Sequence, residues 1–344
     1  MSRRIGLADI AKQAGVSTAT VSRVLNGHQH VAEETRRAVL TAADLLGYER
    51  PETIAPTTNG VIGIILPELT NPIFPLYAQE LASALTGTGF TPLLGTEFAG
   101  GISEDEYLTT FTTLNVAGLV FVSGRHADVS GDQSRYMRLL ERGLPFVTIN
   151  GLDPRIPAVN FSTDDTIGIR LALTHLRHLG HTHIALVTGP KRLVPSARKA
   201  AAFTQALATR LPEAPVRIEQ SLYTLEGGAN AATRALQAGA TAIIASSDLM
   251  AIGAIQAANS LGLSVPEDVS VIGYDGSPLA LHMRPGLTTV RQPVAAICRA
   301  AIAALREEIA GAEPSHGEFL FAPDLIVRGT TATAPRQEQN GKQN

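Results

Sequence analysis

Ser17, Thr18, Ala19, Thr20, Ser22 and Arg23 place four hydroxyls, a methyl and a guanidinium within seven consecutive residues. Short hydroxyls suit phosphate oxygens, and an arginine fork matches the two acceptors on the edge of guanine. Ala19 offers only a methyl, which meets a thymine methyl or nothing. The elements that carry these groups are legible in the apolar spacing. Leu7, Ile10, Ala11 and Ala14 make one helical run, and Val21, Val24 and Leu25 make a second. The break falls at Ala14-Gly15-Val16-Ser17, where Gly15 supplies a positive φ and Ser17 an N-cap. Two short helices joined by a glycine turn, with small Ala11 at their crossing, form a helix-turn-helix, whose second helix lies in the DNA major groove. A helical hairpin inside an ordinary domain is the competing reading, but hydroxyl-rich helix faces are rare in cores.

A polar loop, Gly27 to His30, leads to a third helix with Val39, Leu40, Ala43 and Leu46 on one face, stopped by Gly47. Residues 1–48 then form a three-helix unit with barely enough core to fold alone. Residues 49–60 hold two prolines, three threonines and no apolar period, which marks a linker. From Val61 continuous apolar strands alternate with amphipathic helices. Strand runs at 61–66, 91–95, 118–123, 146–150 and 158–162 are followed by a restart at 184–189, 216–220, 242–246 and 269–274. A Ser103-Glu106 capping box opens one intervening helix, and Ser162-Thr-Asp-Asp165 caps another. This texture means parallel sheets covered on both faces, and its two cycles argue for two similar α/β lobes. The expected division is lobe 1 at about 61–161 plus 291–322 and lobe 2 at about 162–290 plus 323–332. Residues 287–290, 294–310 and 325–328 are expected to cross between them, and the tail 333–344 to be disordered.

Small ligands bind such lobes beyond the carboxyl ends of the strands. The residues there are Asn71 to Phe74, Ser123, Asn150, Lys191 onward, Tyr223, Ser247-Asp248 and Asp275. Planar polar groups with aromatic faces suit a sugar or polyol, whose hydroxyls both donate and accept. Phe74 and Tyr223 also fit core packing, and Asp248 fits best as an N-cap of the following helix.

Composition bounds the rest. Hydrophobic residues make up 44 % and charged residues 17 % of the 344, ordinary for a globular chain of two or three units. The net charge is −3, but residues 1–50 carry +2 and the remainder −5, as expected for DNA binding confined to the N-terminus. The single cysteine, Cys298, excludes an internal disulfide and reads as buried filler. His175, His178, His181 and His183 fall within nine residues, but a helix stop at Gly180 separates them. Cationic histidines at a helix C-terminus explain them better than a metal site, so none is expected. There is no P-loop, dinucleotide fingerprint, nucleophile elbow or zinc-protease motif, and no catalytic residue or cofactor is expected. No apolar run reaches 18 residues and no signal-peptide core is present, so the expected location is cytoplasmic.

DIAKQAGVSTATVSRVLNG, VAEETRRAVLTAADLLGY, NPIF, HLRHLGHTHIALVTGP, SSDLMAIGAIQAANSLGLSVPEDVSVIGYDG, LTTVRQP and LIVRGTT recur in order along the chain. Over residues 5–332 it resembles bacterial transcriptional regulators of the lactose-repressor (LacI/GalR) family. The resemblance implies an N-terminal all-α helix-turn-helix domain and an α/β, periplasmic-binding-protein-like body of two parallel-sheet lobes. It further implies a homodimer that binds palindromic double-stranded operator DNA as a repressor, under a small effector, a sugar or sugar derivative. A solute-binding protein without a regulatory role is the alternative, which the body alone supports. Thr18, Ala19 and Arg23 match the family's base-reading positions. Ser17, Thr20, Ser22, Asn26, His30 and Thr35 match its phosphate contacts, although Thr20 and Asn26 also suit capping and turn formation. In the cleft the resemblance singles out Asn71, Phe74, Asn150, Tyr223, Ser247, Asp275 and Gln292. The family's effector-clamping arginine corresponds to Lys199, next to Arg198, and either suits an acidic or phosphorylated sugar. The linker departs from the family pattern. Pro56 and Thr58 stand where an arginine and a minor-groove leucine wedge belong, leaving Ile54 as the nearby apolar candidate.

Overall fold

The computed structural model describes residues 5–25, 31–48, 59–98, 100–313 and 316–335. Asn26, His30, the linker residues Ile54, Pro56 and Thr58, and the tail beyond residue 335 lie outside the described residues. The chain divides into two compact units, residues 1–61 with 85–91 and residues 62–84 with 92–344. The N-terminal part of the first holds α1 (Leu7–Ala14), α2 (Thr18–Leu25) and α3 (Glu33–Leu45). Gly15 takes φ 67°, so the chain reverses between α1 and α2 at no steric cost. Ser17 Oγ then accepts the Thr20 N–H at 3.1 Å and caps α2. Ile10, Ala11, Val21, Val24, Val39, Ala42 and Ala43 make the small core. Leu40, expected on the inner face of α3, is 49 % exposed; Ala42 takes the inward position.

After α3, chain order is β1 (Gly60–Leu66), α4 (Ile73–Leu85), β2 (Phe90–Thr96), α5 (Glu104–Thr113), β3 (Gly118–Val122), α6 (Ser134–Glu141), β4 (Phe146–Ile149) and β5 (Val159–Thr163). Then follow α7 (Asp165–His178), β6 (Ile184–Thr188), α8 (Val194–Arg210), β7 (Arg217–Gln220), α9 (Leu225–Gln237), β8 (Ala242–Ala245) and α10 (Asp248–Ser260). The remainder is β9 (Ser270–Asp275), α11 (Pro278–His282), β10 (Thr288–Arg291), α12 (Val294–Ile309), β11 (Gly317–Phe321) and β12 (Asp324–Ile326). Two six-stranded sheets result, in the orders β11-β5-β4-β3-β1-β2 and β12-β10-β9-β8-β6-β7. We call the halves built on them lobe 1 and lobe 2. The pairs from β1 to β3, β4, β5 and β11, and from β7 through β6, β8, β9 and β10, run parallel, while β12 joins β10 antiparallel. The backbone passes between the sheets three times, after β5, after β10 and after β11.

Two local expectations are corrected. The cap of α7 is Asp164, which accepts the Ile167 N–H at 3.0 Å, because Ser162 and Thr163 are still inside β5. Strand β11 was not legible in the sequence. As a sheet edge it leaves Phe319 and Leu320 half exposed and shows no clean alternation.

Continuous burial of β6, β8 and β9 reflects helices on both faces of the lobe 2 sheet. One face packs α9 and α10 through Ala231, Ala232, Ala251 and Ala254, and the other packs α7 and α8 through Ile169, Leu173 and Phe203. The α9–α10 approach is close enough that a Cβ on Gly253 would lie 2.0 Å from the Leu225 carbonyl oxygen, and one on Gly228 2.4 Å from that of Met250.

Lobe 1 instead gathers rings. Phe121 sits edge-on to Tyr136 at 5.0 Å and to Phe146 at 5.7 Å, with His126 completing the cluster. His126 is fully buried and its Nε2–H donates to the Ile149 carbonyl at 3.1 Å. Burial pushes its pKa down to about 4 from the ordinary 6.5. Between those values the unfolded chain binds the proton and the folded chain does not. Stability from this residue is therefore complete above pH 6.5 and is lost as pH falls toward 4, by about 3 kcal/mol. In urea titrations across that window, His126→Gln, which keeps a donor for Ile149 but cannot titrate, is expected to flatten the acid-side loss.

Candidate functional site

A cavity of about 240 Å³ opens between the two lobes. All ten residues singled out from the sequence line it: Asn71, Phe74, Ser123, Asn150, Arg198, Lys199, Tyr223, Ser247, Asp275 and Gln292. Most stand at strand ends, and Ser123, Asn150 and Asp275 all hold positive φ, at 47°, 59° and 121°. Non-glycine residues in that region carry backbone strain that recurs at ligand sites. Phe74 and Tyr223 are half-buried with faces on the cavity, so neither is spent wholly on core packing. The Tyr223 hydroxyl lies 3.0 Å from Ser196 Oγ.

Gln292, at the second crossover, ties the floor together. Its Nε2 donates to Asp275 Oδ1 at 2.7 Å. Its Oε1 accepts from Thr163 at 2.9 Å, from the Tyr77 hydroxyl at 3.1 Å and from Asn150 Nδ2 at 3.5 Å. Asn150 Nδ2 also reaches the Tyr77 oxygen at 2.9 Å. Asp275 Oδ2 and Ser246 Oγ remain buried with no hydrogen-bond partner. Burial drives the Asp275 carboxyl well above the ordinary carboxylate range, and the neighbouring Asp248 adds to the push.

The cations of the cleft are already paired. Lys199 Nζ lies 2.9 Å from Asp165 Oδ1 and 4.2 Å from the centre of the Tyr274 ring. The Tyr274 hydroxyl donates to the same carboxylate oxygen at 2.8 Å. Burial alone would lower the Lys199 pKa, but Asp165, with Tyr223 and Asp275 adding, more than offsets it. Arg198 makes a fork to Glu318, at 2.6 and 2.8 Å, joining α8 of lobe 2 to β11 of lobe 1. A second tie crosses the rim where Arg192 pairs with Asp128 and the Val129 N–H donates to the Arg192 carbonyl at 3.0 Å. The expectation that Lys199 or Arg198 stands ready for an acidic sugar therefore meets two internally neutralised pairs.

Asp248 is corrected as well. The cap of α10 is Ser247, whose Oγ accepts the Met250 N–H at 3.1 Å. Asp248 instead accepts from the Ser277 N–H at 2.7 Å and the Thr289 hydroxyl at 2.5 Å. Its pKa is pushed up to about 6 by burial, against the pull of those bonds. His175 and His181 are not part of a cationic helix end. His181 contacts Thr241 and Ser270 at 3.0 Å and the Ala332 carbonyl at 3.1 Å, and His175 contacts Thr331 at 3.0 Å. Burial lowers the pKa of both, so they fasten the 330–332 segment as neutral rings. Among the described residues no cluster of His, Cys, Asp or Glu is arranged to hold a metal ion. Cys298 is buried in α12, and burial raises its pKa.

Sequence reasoning missed Tyr77, Asp165, Glu68 and Ser246, all on the cavity wall. Tyr77 lies one helical turn after Phe74, and that spacing was a usable signal. Asp165 was hidden in a run that read as a cap. Burial raises the Glu68 carboxyl even though the Thr70 and Asn71 backbone N–H groups bond to it.

In the small unit, Ser17, Thr18, Ala19 and Arg23 are exposed on α2, with Thr20 and Ser22 half-buried. Thr20 Oγ1 lies 2.9 Å from Ser17 Oγ, so its hydroxyl takes part in the capping turn and keeps one further hydrogen-bonding position. Thr35 is half-buried in the first turn of α3.

Residues 6–51 match the model of bacterial regulatory proteins of the lacI family, and residues 173–331 match a periplasmic binding protein-like domain. The chain is 50 % identical over 334 residues to the HTH-type transcriptional regulator MalR of Streptomyces coelicolor, covering 96 % of this chain and 97 % of the relative. A solved complex of the transcriptional regulator CelR with cellobiose superposes with a TM-score of 0.69 at 28 % identity, covering 95 % of this chain and all of that one. The lac repressor dimer bound to operator and the anti-inducer ONPF gives 0.68 at 26 % identity, covering 96 % and 100 %.

The buried Lys199–Asp165 pair has a measurable consequence. Lys199→Met strands a desolvated carboxylate and is expected to cost about 3–5 kcal/mol in urea denaturation. Adding Asp165→Asn should recover most of it; a single-variant loss under about 1 kcal/mol, the scale of an exposed pair, would contradict this.

Proposed function

The chain belongs to the lacI family of bacterial regulatory proteins, DNA-binding transcriptional regulators, and from that premise we propose that its cleft takes a neutral carbohydrate. One observation carries the reading. Each cation in the cleft is already paired, while Asp275 Oδ2 is a buried polar atom without a hydrogen-bond partner. A hydroxyl both donates and accepts and so completes that group whether or not it is protonated, whereas a phosphate or carboxylate brings charge that Lys199 and Arg198 are not free to meet. Phe74, Tyr223 and Pro195 offer the apolar wall that a sugar ring face packs against. The cellobiose bound by the structurally similar CelR supports the same class.

The protein acts as a repressor in this reading. A homodimer sets two heads in successive major grooves of a palindromic operator, roughly 34 Å apart. Thr18, Ala19 and Arg23 face base edges, and Ser17, Thr20, Ser22 and Thr35 hold the backbone, with Asn26 and His30 assigned there on family resemblance alone. We assign the head to residues 1–48, the linker to 49–60 and the effector body to 61–332. The effector shifts the lobes between two arrangements for which it has different affinity. No catalytic step belongs to this reading, and the site of action is the cytoplasm, with the DNA. Among the described residues, no helix is long and apolar enough to cross a membrane.

Operator gel shift and a saccharide thermal-shift screen test the assignment together. Arg23→Ala should weaken specific operator binding by about 1–3 kcal/mol and leave saccharide affinity unchanged. Asp275→Ala should weaken saccharide affinity about 10- to 100-fold and leave operator binding intact. Operator binding that responds only to phosphorylated or acidic sugars would overturn the neutral-ligand reading.

A further inference from the structure

We propose that the groove between α5 and α6 is a second binding site, which takes inorganic phosphate or a small phosphate monoester. It shares no lining residue with the cleft and has room for about 260 Å³. Arg135 and Arg138 lie one turn apart on α6, and Arg142 follows one turn later, just past its end. Across from them α5 contributes Asp105, Thr109 and Thr112. Three guanidinium groups thus line the groove against one carboxylate.

Arg135 carries the argument. It is nine-tenths buried, yet its Nε has no hydrogen-bond acceptor. Nη1 is ion-paired with Asp105 Oδ2 at 2.8 Å and lies 3.9 Å from Glu104 Oε1. Glu104 is engaged elsewhere, accepting the Tyr136 hydroxyl at 2.6 Å and the Arg125 N–H at 3.3 Å. Arg138 Nη1 donates to Ser134 Oγ at 3.0 Å, with Nη2 3.7 Å from Asp105 Oδ1. The exposed Arg142 side chain completes the set lining the groove. Both threonine hydroxyls donate back into α5, at 2.9 and 2.7 Å, which leaves the arginines as the donors.

Buried N–H groups without acceptors are rare in folded proteins, and a bound anion removes the deficit. A carboxylate has two oxygens, too few for three arginine forks. A phosphoryl group presents three, with up to two charges, in the geometry that guanidinium matches best. The occupant is therefore a phosphoryl compound.

The test is isothermal titration of the full-length protein with inorganic phosphate, a short-chain alkyl phosphate and a serine-phosphorylated peptide, at fixed ionic strength in chloride. Saturable binding of phosphate and the alkyl ester is expected. Arg138→Ala with Arg142→Ala, both exposed positions, should raise the dissociation constant about tenfold or more. The same variant should leave the unliganded unfolding midpoint within about a degree, and Asp275→Ala should leave phosphate binding unchanged. Wild-type-like binding by the double arginine variant, loss of binding in Asp275→Ala, or no saturable heat would overturn the site. Binding of the phosphopeptide alone would overturn the small-molecule assignment.

Discussion

Gln292 has one amide, and both ends of it are committed to the cleft. The nitrogen holds Asp275 of lobe 2, and the oxygen collects Thr163, Tyr77 and Asn150 of lobe 1. An amide is suited to this because it donates on one side and accepts on the other without net charge. The residue stands where the chain passes from β10 to α12, one of three crossovers, so the network sits on the covalent joint between lobes. A ligand that enters the cleft meets a pre-oriented set of polar groups, and little ordering remains to be done on binding.

The electrostatics of the site follow the same economy. A buried ammonium, carboxylate and tyrosine close on one another in Lys199, Asp165 and Tyr274. Such pairs add little to net stability when compared with an apolar replacement, but losing one partner is costly. Their value here is directional. Lys199 is held over the Tyr274 ring and the cavity is left nearly neutral, with the unpartnered Asp275 Oδ2 as its most demanding atom.

Much of this was legible in the sequence, for physical reasons that differ by element. The head was readable because Gly15 and Ser17 impose a turn and a cap that no neighbouring residue could supply. The buried strands were readable because a sheet covered on both faces demands unbroken apolar runs. The cleft residues followed from the rule that loops at strand ends carry ligands, and Ser123, Asn150 and Asp275 stand there with strained backbones. What escaped was whatever depends on partners far away in the chain. Glu318 lies 120 residues from Arg198, and Thr289 lies 41 from Asp248, so neither pairing leaves a local trace. Strand β11 escaped because an edge strand is not required to alternate.

The glycines of α9 and α10 bear on how the molecule can move. At Gly253 and Gly228 one helix backbone rests against the other with no side chain between them. Side chains can change rotamer and absorb a displacement, whereas two backbones in contact cannot slide without breaking their own helices. The α9–α10 face of lobe 2 therefore behaves as a stiff plate. Any rearrangement between the lobes has to be taken up in the three short crossovers, like a door whose panel does not flex and whose whole travel is at the hinge.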